Sequence, residues 1–154
     1  MKIIKNFEST NKIDLEKLKE FDAQKTKVFK YITYKKRTEQ EVRNKFRGQI
    51  QEEMLEEIIE YLKEAKYLDD YDFIEKQVRE YMNLKTMSIT EMKYKLATKG
   101  LDRKLIEKYI DNNYENLKEY EQRCIEKIKM KKTGTMDEQQ IYQYLYKKGY
   151  QIER

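Results

Sequence analysis

This 154-residue chain contains no histidine, no tryptophan and one cysteine, so the side chains left to carry chemistry are mainly lysine, arginine, aspartate, glutamate, tyrosine and the hydroxyls of serine and threonine. Without histidine there is no Ser-His-Asp triad, no histidine general base and no histidine-ligated metal site. The single Cys124 excludes a disulfide framework and a cysteine-based zinc site. Its position on an apolar stripe predicts a buried thiol rather than a reactive one.

Two short segments superficially resemble reactive sites. Lys131–Thr135 superficially resembles a phosphate-binding loop, but it has one glycine and no strand before it, so we interpret it as a turn between helices. Asp69, Asp70 and Asp72 stand at a predicted helix start, where carboxylates stabilise the N-terminal dipole. No nucleotide-binding, hydrolase or metalloprotease motif occurs in the sequence. We therefore expect no enzymatic activity, no cofactor and no metal.

Basic side chains form the strongest candidate for a binding site. Tyrosines accompany them, and tyrosine beside lysine is typical both of nucleic-acid stacking surfaces and of protein interfaces. A solvated charged face is the competing interpretation. The candidate binding residues are Lys35, Lys36, Arg37, Arg43, Lys45, Lys93, Lys95, Lys129, Lys131 and Lys132. The accompanying tyrosines are Tyr31, Tyr34, Tyr94, Tyr142, Tyr144 and Tyr146.

The charge of the chain alternates in sign along its length. Residues 25–47 sum to +7, residues 48–80 to −7 and residues 81–110 to +4, so the total of +5 conceals strong local fields. Such fields favour attraction to charged macromolecular partners. Apolar runs are only two or three residues long, so we expect no membrane segment. The lone thiol and the lack of a leader sequence indicate a reducing cytoplasm.

One sequence pattern occurs three times and must position these side chains. It consists of a cap residue, a Glu or Gln three positions later, and apolar residues that follow at helical spacing. Its copies start at Thr38, Ser88 and Asp137, which are 50 and 49 residues apart. Gly100 and Gly149 follow the second and third copies where a helix-ending glycine belongs. The pattern indicates a repeated unit in which a capping box opens a short helix.

Other helices complete each repeat. Apolar spacing predicts helices over about 25–36, 50–66 and 114–131, and others that begin after Asp70 and after Asp102. With no proline and only four glycines, helices should dominate. We predict an all-α fold that forms an elongated tandem array of three-helix repeats. The predicted repeats span residues 25–68, 69–112 and 113–154.

Both ends of the chain depart from the repeat. The third repeat is incomplete at the C-terminus, because the chain stops at Arg154 where its last helix should begin. Residues 1–24 form an N-terminal extension outside the repeat. Within it, Lys2–Phe7 indicates a short strand, and residues 11–21 indicate an amphipathic helix through Ile13, Leu15, Leu18 and Phe21.

Ordered motifs from all three repeats resemble the bacterial RecX family. The segment 31–42 is similar to the opening of the first repeat, where an apolar helix ends in basic residues and a capping box follows. The segment 58–73 resembles the link between the first two repeats, and residues 93–107 and 147–150 resemble parts of the second and third. Residues 47–50 depart from the usual Lys-Gly-Phe. The resemblance covers about residues 25–154.

The resemblance implies a modulator of the RecA recombinase that acts in homologous recombination, DNA repair and the SOS response. Family members are tandem three-helix repeats that bind in the groove of the RecA–ssDNA filament and typically inhibit strand exchange, ATP hydrolysis and coprotease activity. We expect a cytoplasmic monomer whose partners are the RecA filament and the single-stranded DNA within it. On the residues alone, a stand-alone nucleic-acid-binding helical module and a structural adaptor remain alternatives.

Overall fold

The computed structural model describes residues 2–84 and 86–152, with side chains for Lys12 and from residue 14 onward in those ranges. The described residues form eight α-helices and no β-sheet, which confirms the predicted all-α class. The helices are α1 (Lys2–Tyr34), α2 (Glu39–Phe46), α3 (Glu52–Glu64), α4 (Asp70–Leu84), α5 (Ile89–Thr98), α6 (Arg103–Asn112), α7 (Tyr114–Lys132) and α8 (Glu138–Lys147). Among these described helices, none combines the length and apolar character that a membrane span requires.

The first helix is much longer than the sequence predicted. α1 runs without interruption over residues 2–34, so the strand predicted at Lys2–Phe7 is wrong. A short apolar run cannot distinguish a strand from a helix, and no glycine or proline interrupts the chain before residue 48. The N-terminal extension therefore continues directly into the first helix of the first repeat. The side chain of Ile13, which supported the predicted helix over 11–21, lies outside the described side chains.

The chain divides into two compact units, residues 1–69 and residues 70–154. In unit 1, α1 packs on α2 and α3, and α2 packs on α3. Edge-to-face ring contacts of Tyr31 with Phe46 (5.6 Å) and of Phe29 with Tyr67 (5.0 Å) flank the core. The buried core residues of unit 1 are Val28, Ile32, Val42, Phe46, Ile50, Leu55, Ile58, Ile59, Leu62 and Leu68.

Unit 2 contains the second and third predicted repeats around one shared core. α7 packs on α6 and on α8, and its side chains Leu117, Cys124 and Ile125 belong to the same buried cluster as those of α4, α5, α6 and α8. The Cys124 thiol is buried, as the sequence indicated. Members from the other helices include Ile74, Val78, Met92, Leu96, Ile106, Ile110, Ile141 and Leu145. The boundary between the second and third repeats stays a prediction.

The predicted caps open the three short helices. The side chains of Thr38 and Ser88 each accept a hydrogen bond at 3.1 Å from the backbone N–H three residues later. Asp137 accepts one at 2.8 Å from the N–H of Gln140, whose side-chain oxygen accepts at 3.0 Å from the N–H of Asp137, so this box is closed in both directions. The glycines that follow the second and third copies have φ of 82° and 88°, the conformation of a helix-ending glycine.

Removing the first two caps should destabilise the protein to different extents. We expect Thr38→Ala to lower the free energy of unfolding by about 0.5–2 kcal/mol, the usual loss at an N-cap. Ser88→Ala should cost more, because the Ser88 hydroxyl also donates to the Lys148 carbonyl oxygen at 2.6 Å. Urea denaturation measures both. Thr26→Ala, which removes an exposed hydroxyl within α1, is the control and should change little. Unchanged midpoints in both cap variants would contradict the capping interpretation.

Candidate partner-binding surface

The candidate residue Arg43 on α2 is held by acidic side chains within unit 1. Its guanidinium donates to the two carboxylate oxygens of Glu56 on α3 at 2.8 and 3.2 Å, and it lies 3.4 Å from Glu39. Lys63 lies 3.2 Å from the other oxygen of Glu39. The hydrogen bond between Arg43 and Glu56 raises the pKa of Arg43 and lowers the pKa of Glu56. The charge of Arg43 is therefore balanced inside the unit.

Lys93 occupies the position of Arg43 in the second repeat and makes a similar link. Its Nζ lies 3.2 Å from the carboxylate of Glu107 on α6. In both repeats the pair joins the second helix to the third, across 13 and 14 residues of sequence. The structure thus gives these two predicted binding residues an acidic neighbour within their own repeat, which assigns them a part in holding the helices together.

Lys45 and Lys95, two positions further along the same helices, contact aromatic rings instead. The Nζ of each lysine lies 5.9 Å from a ring centroid, that of Tyr31 for Lys45 and that of Tyr81 for Lys95. At this distance an ammonium is attracted to the negative face of the ring. Both lysines are exposed. The tyrosines lie on α1 and α4, and they are 50 residues apart, as the lysines are.

Arg37 approaches the same ring of unit 1 from the segment between α1 and α2. Its guanidinium carbon lies 4.3 Å from the centroid of Tyr31, and its Nη1 lies 3.6 Å from the carboxylate of Glu41. Tyr31 is therefore flanked by two basic side chains. Lys35 and Lys36, the residues that precede Arg37, are both exposed.

In the third copy of the pattern, the tyrosine lies on the second helix and the lysine on the first. Tyr144 on α8 stands where the earlier copies have Lys45 and Lys95. Lys132, the last residue of α7, lies 4.7 Å from the Tyr144 ring centroid, and Lys148 lies 5.8 Å from it. A contact between a cation and a ring therefore joins the first and second helices of every copy.

The remaining basic candidates lie near the C-terminal end of α7. Lys129, Lys131 and Lys132 lie in its last turn; the first two are exposed and Lys132 is half-buried. Positive charges at this end complement the helix dipole. Met130 between them is 80% exposed, which adds an apolar side chain to the basic end.

The arrangement offers charge and aromatic surface rather than a reactive centre. No group of three or more acidic or cysteine side chains suited to a metal ion occurs in the part of the chain that the structure describes. The lysines and the tyrosines were predicted from the sequence, but their pairing was not. The signal that could have revealed it is the shared 50-residue spacing of Tyr31 with Tyr81 and of Lys45 with Lys95.

Several curated proteins with similar sequences share one name. The regulatory protein RecX of Staphylococcus epidermidis is 28% identical over 148 residues, which cover 91% of this chain and 55% of that protein. RecX of Caldanaerobacter subterraneus is 29% identical over 132 residues, which cover 84% of this chain and 65% of that protein. The chain thus spans less than two thirds of the length of these relatives. No family profile matches the chain.

Solved structures share the fold. The crystal structure of RecX from Lactobacillus salivarius superposes with a TM-score of 0.73 at 24% identity, covering 87% of this chain and 90% of that one. A second RecX crystal structure gives a TM-score of 0.64 at 23% identity, covering 83% of this chain and 69% of that one. Together with the curated relatives, these matches confirm the resemblance to the RecX family that the sequence motifs indicated.

Proposed function

We propose that this chain, a RecX-like helical repeat protein, is a non-enzymatic regulator that binds the RecA–ssDNA filament and inhibits its recombinase, ATPase and coprotease activities. It acts as a cytoplasmic monomer. The curated relatives are named regulatory proteins, which supports a regulatory role. The observation that carries the proposal is the cation-and-ring contact that recurs in every copy of the pattern.

The recurring contact supports a polymeric partner. Units repeated at a spacing of 50 and 49 residues present the same pair of side-chain types each time. A partner that itself repeats along an axis can meet such a series of equivalent contacts. The proposed contact residues remain the basic set that includes Lys35, Lys36, Arg37, Lys45, Lys95 and the lysines at the end of α7. Their role is attraction and alignment, which raises the rate of association and is screened by salt.

A charge-reversal experiment tests the proposal. The assay is ATP hydrolysis by RecA on single-stranded DNA, with sub-stoichiometric amounts of this protein. The wild type should inhibit, and Lys45→Glu/Lys95→Glu/Lys131→Glu should lose inhibition by roughly tenfold at low salt. The three lysines are exposed, so the melting temperature should stay close to that of the wild type.

The matched control reverses three exposed lysines outside the proposed basic set: Lys19, Lys104 and Lys127. The control changes the net charge by the same amount. Inhibition should therefore stay close to that of the wild type if position, and not total charge, matters. Equal loss in both triple variants would mean that the basic set has no special role. If the wild type does not inhibit ATP hydrolysis by RecA, the proposed inhibitory function is wrong.

A stand-alone nucleic-acid-binding module is the second candidate function. The observation that favours it is the group around Tyr144, where Lys132 and Lys148 both approach one half-buried ring. Basic side chains beside aromatic faces bind the backbone and stack on the bases of single strands. A salt titration of binding to single-stranded DNA without RecA separates the two functions. Strong binding with a steep salt dependence would favour the module.

A further inference from the structure

A groove with an apolar floor lies between α1 and α3 in unit 1. Its cavity volume is about 630 Å³, and its apolar lining is Leu18, Phe21 and Met54. Phe21 and Met54 pack against the core of unit 1, whereas Leu18 is 61% exposed. Leu15, one turn earlier on α1, is 53% exposed. Large aliphatic side chains exposed together at helical spacing are typical of a docking surface.

The rim of this groove is acidic. Four carboxylates line the cavity, those of Asp14, Glu20, Glu53 and Glu57, against the single ammonium of Lys17. The net charge of the lining is therefore −3. The Lys25 ammonium, 5.7 Å from the Phe21 ring centroid, lies 3.3 Å from the Asp22 carboxylate.

Four of the six glutamates of α3 fall into two groups. Glu56 and Glu60 face basic neighbours, Arg43 at 2.8 Å and Lys63 at 3.5 Å. Glu53 and Glu57 are exposed and form no salt bridge within the described part of the chain. The charge of this rim is thus available to a partner.

We infer that this acidic groove of unit 1 binds a basic amphipathic α-helix of a partner protein. Apolar side chains of that helix would lie on Leu18, Phe21 and Met54, and its lysines or arginines would face Glu53 and Glu57. A helix whose apolar face enters a groove is a common mode of peptide recognition. The acidic rim repels phosphate, so it disfavours nucleic acid and anionic lipid. This surface has the opposite sign to the basic set and goes beyond the proposed function.

Two synthetic peptides test the inference with the full chain. The probe is a fluorescein-labelled amphipathic helix of about 18 residues, or five turns, with leucine on one face and lysine on the other. The second peptide has the same composition in an order that leaves no apolar face. Fluorescence anisotropy at low salt should show saturable binding of the amphipathic peptide and clearly weaker binding of the scrambled one. Equal binding of the two, or no binding of either, would overturn the inference.

Variants of the chain then locate the site. Glu53→Lys/Glu57→Lys should weaken binding of the amphipathic peptide roughly tenfold, and Leu18→Ser should weaken it severalfold without changing the net charge. The matched control is Glu115→Lys/Glu119→Lys, an exposed pair with the same spacing on α7, and it should bind within about twofold of the wild type. Equal loss in the control would show general electrostatic attraction and contradict a site at the groove.

Sedimentation of the chain without peptide tests whether the groove instead binds a second copy of the chain. A monomer supports a partner protein as the source of the helix. If the wild type self-associates and Glu53→Lys/Glu57→Lys abolishes that association, the groove binds a second copy of this chain, and the inference of a partner protein fails.

Discussion

Replacing Glu121 with alanine is expected to lower the free energy of unfolding by about 2–5 kcal/mol. Glu121 on α7 is only 5% exposed. Its two carboxyl oxygens accept hydrogen bonds from the backbone N–H of Ile89 at 3.0 Å and of Gln151 at 2.8 Å. Truncation leaves both N–H groups without their acceptor, and each such loss costs about 1–3 kcal/mol when the group is shielded from water.

The same side chain links the second and third predicted repeats, whose apolar side chains share one core. It connects the start of α5 to the residues after α8, and two tyrosines reinforce the connection. The hydroxyl of Tyr120 donates to the Met87 carbonyl at 2.9 Å, and that of Tyr150 donates to the Thr86 carbonyl at 2.8 Å. Loss of Glu121 should therefore weaken contacts among several helices of unit 2 rather than affect one helix alone.

Urea denaturation followed by circular dichroism measures the effect of Glu121. Glu121→Gln keeps one acceptor oxygen. Its free energy of unfolding should therefore lie between those of the wild type and the alanine variant. Glu119→Ala removes an exposed carboxylate two residues away and should change the free energy of unfolding by no more than about 0.5 kcal/mol. If Glu121→Ala unfolds like Glu119→Ala, the buried carboxyl group is not a stabilising link.

Gly149→Ala should lower the free energy of unfolding by about 2–4 kcal/mol, for two reasons. Gly149 has φ of 88°, a conformation that costs L-residues about 1–2 kcal/mol. An added Cβ would also lie 2.9 Å from Cβ of Thr90 and 3.0 Å from Oγ of Ser88. The Ser88 hydroxyl cannot retreat without losing its bond to the Lys148 carbonyl.

Gly48→Ala is the matched control that measures the cost of a positive φ without steric crowding. Gly48 has φ of 80°, and a Cβ built there meets no atom within 4 Å. This variant should lose about 1–2 kcal/mol, which is the cost of the positive φ. The difference between the two variants, measured by urea denaturation, isolates the crowding at Gly149. Equal losses would mean that Thr90 and Ser88 move aside freely.

The parts of the fold that the sequence predicted well are those that local chemistry determines. Thr38, Ser88 and Asp137 open their helices as predicted, because a cap side chain bonds to a backbone group only three residues away. The long helix over 114–131 was also predicted closely, since its apolar period is regular and α7 spans residues 114–132. The start of α1 was missed because the short apolar run at Lys2–Phe7 was interpreted as a strand, whereas one helix runs over residues 2–34.

The links that depend on distant parts of the chain could not be predicted in this way. Glu121 bonds to groups 32 and 30 residues away, and in sequence it is one more glutamate on a highly charged helix. Arg43 likewise gave no local sign that its partner is Glu56, 13 residues further along. Their roles follow from packing, because burial decides which carboxylate can accept a backbone N–H and which remains in water.

The contacts between lysines and tyrosines have a consequence for conformational entropy. Immobilising a freely moving lysine side chain costs up to about 1.5–2 kcal/mol in lost rotamers. Lys45, Lys95 and Lys132 already lie against rings, so part of their rotamer freedom is lost when the chain folds. A partner that contacts these ammonium groups meets side chains that are partly ordered before it arrives. Ordering the side chain at each of these contacts therefore costs less binding free energy than at a contact made by an unrestrained lysine.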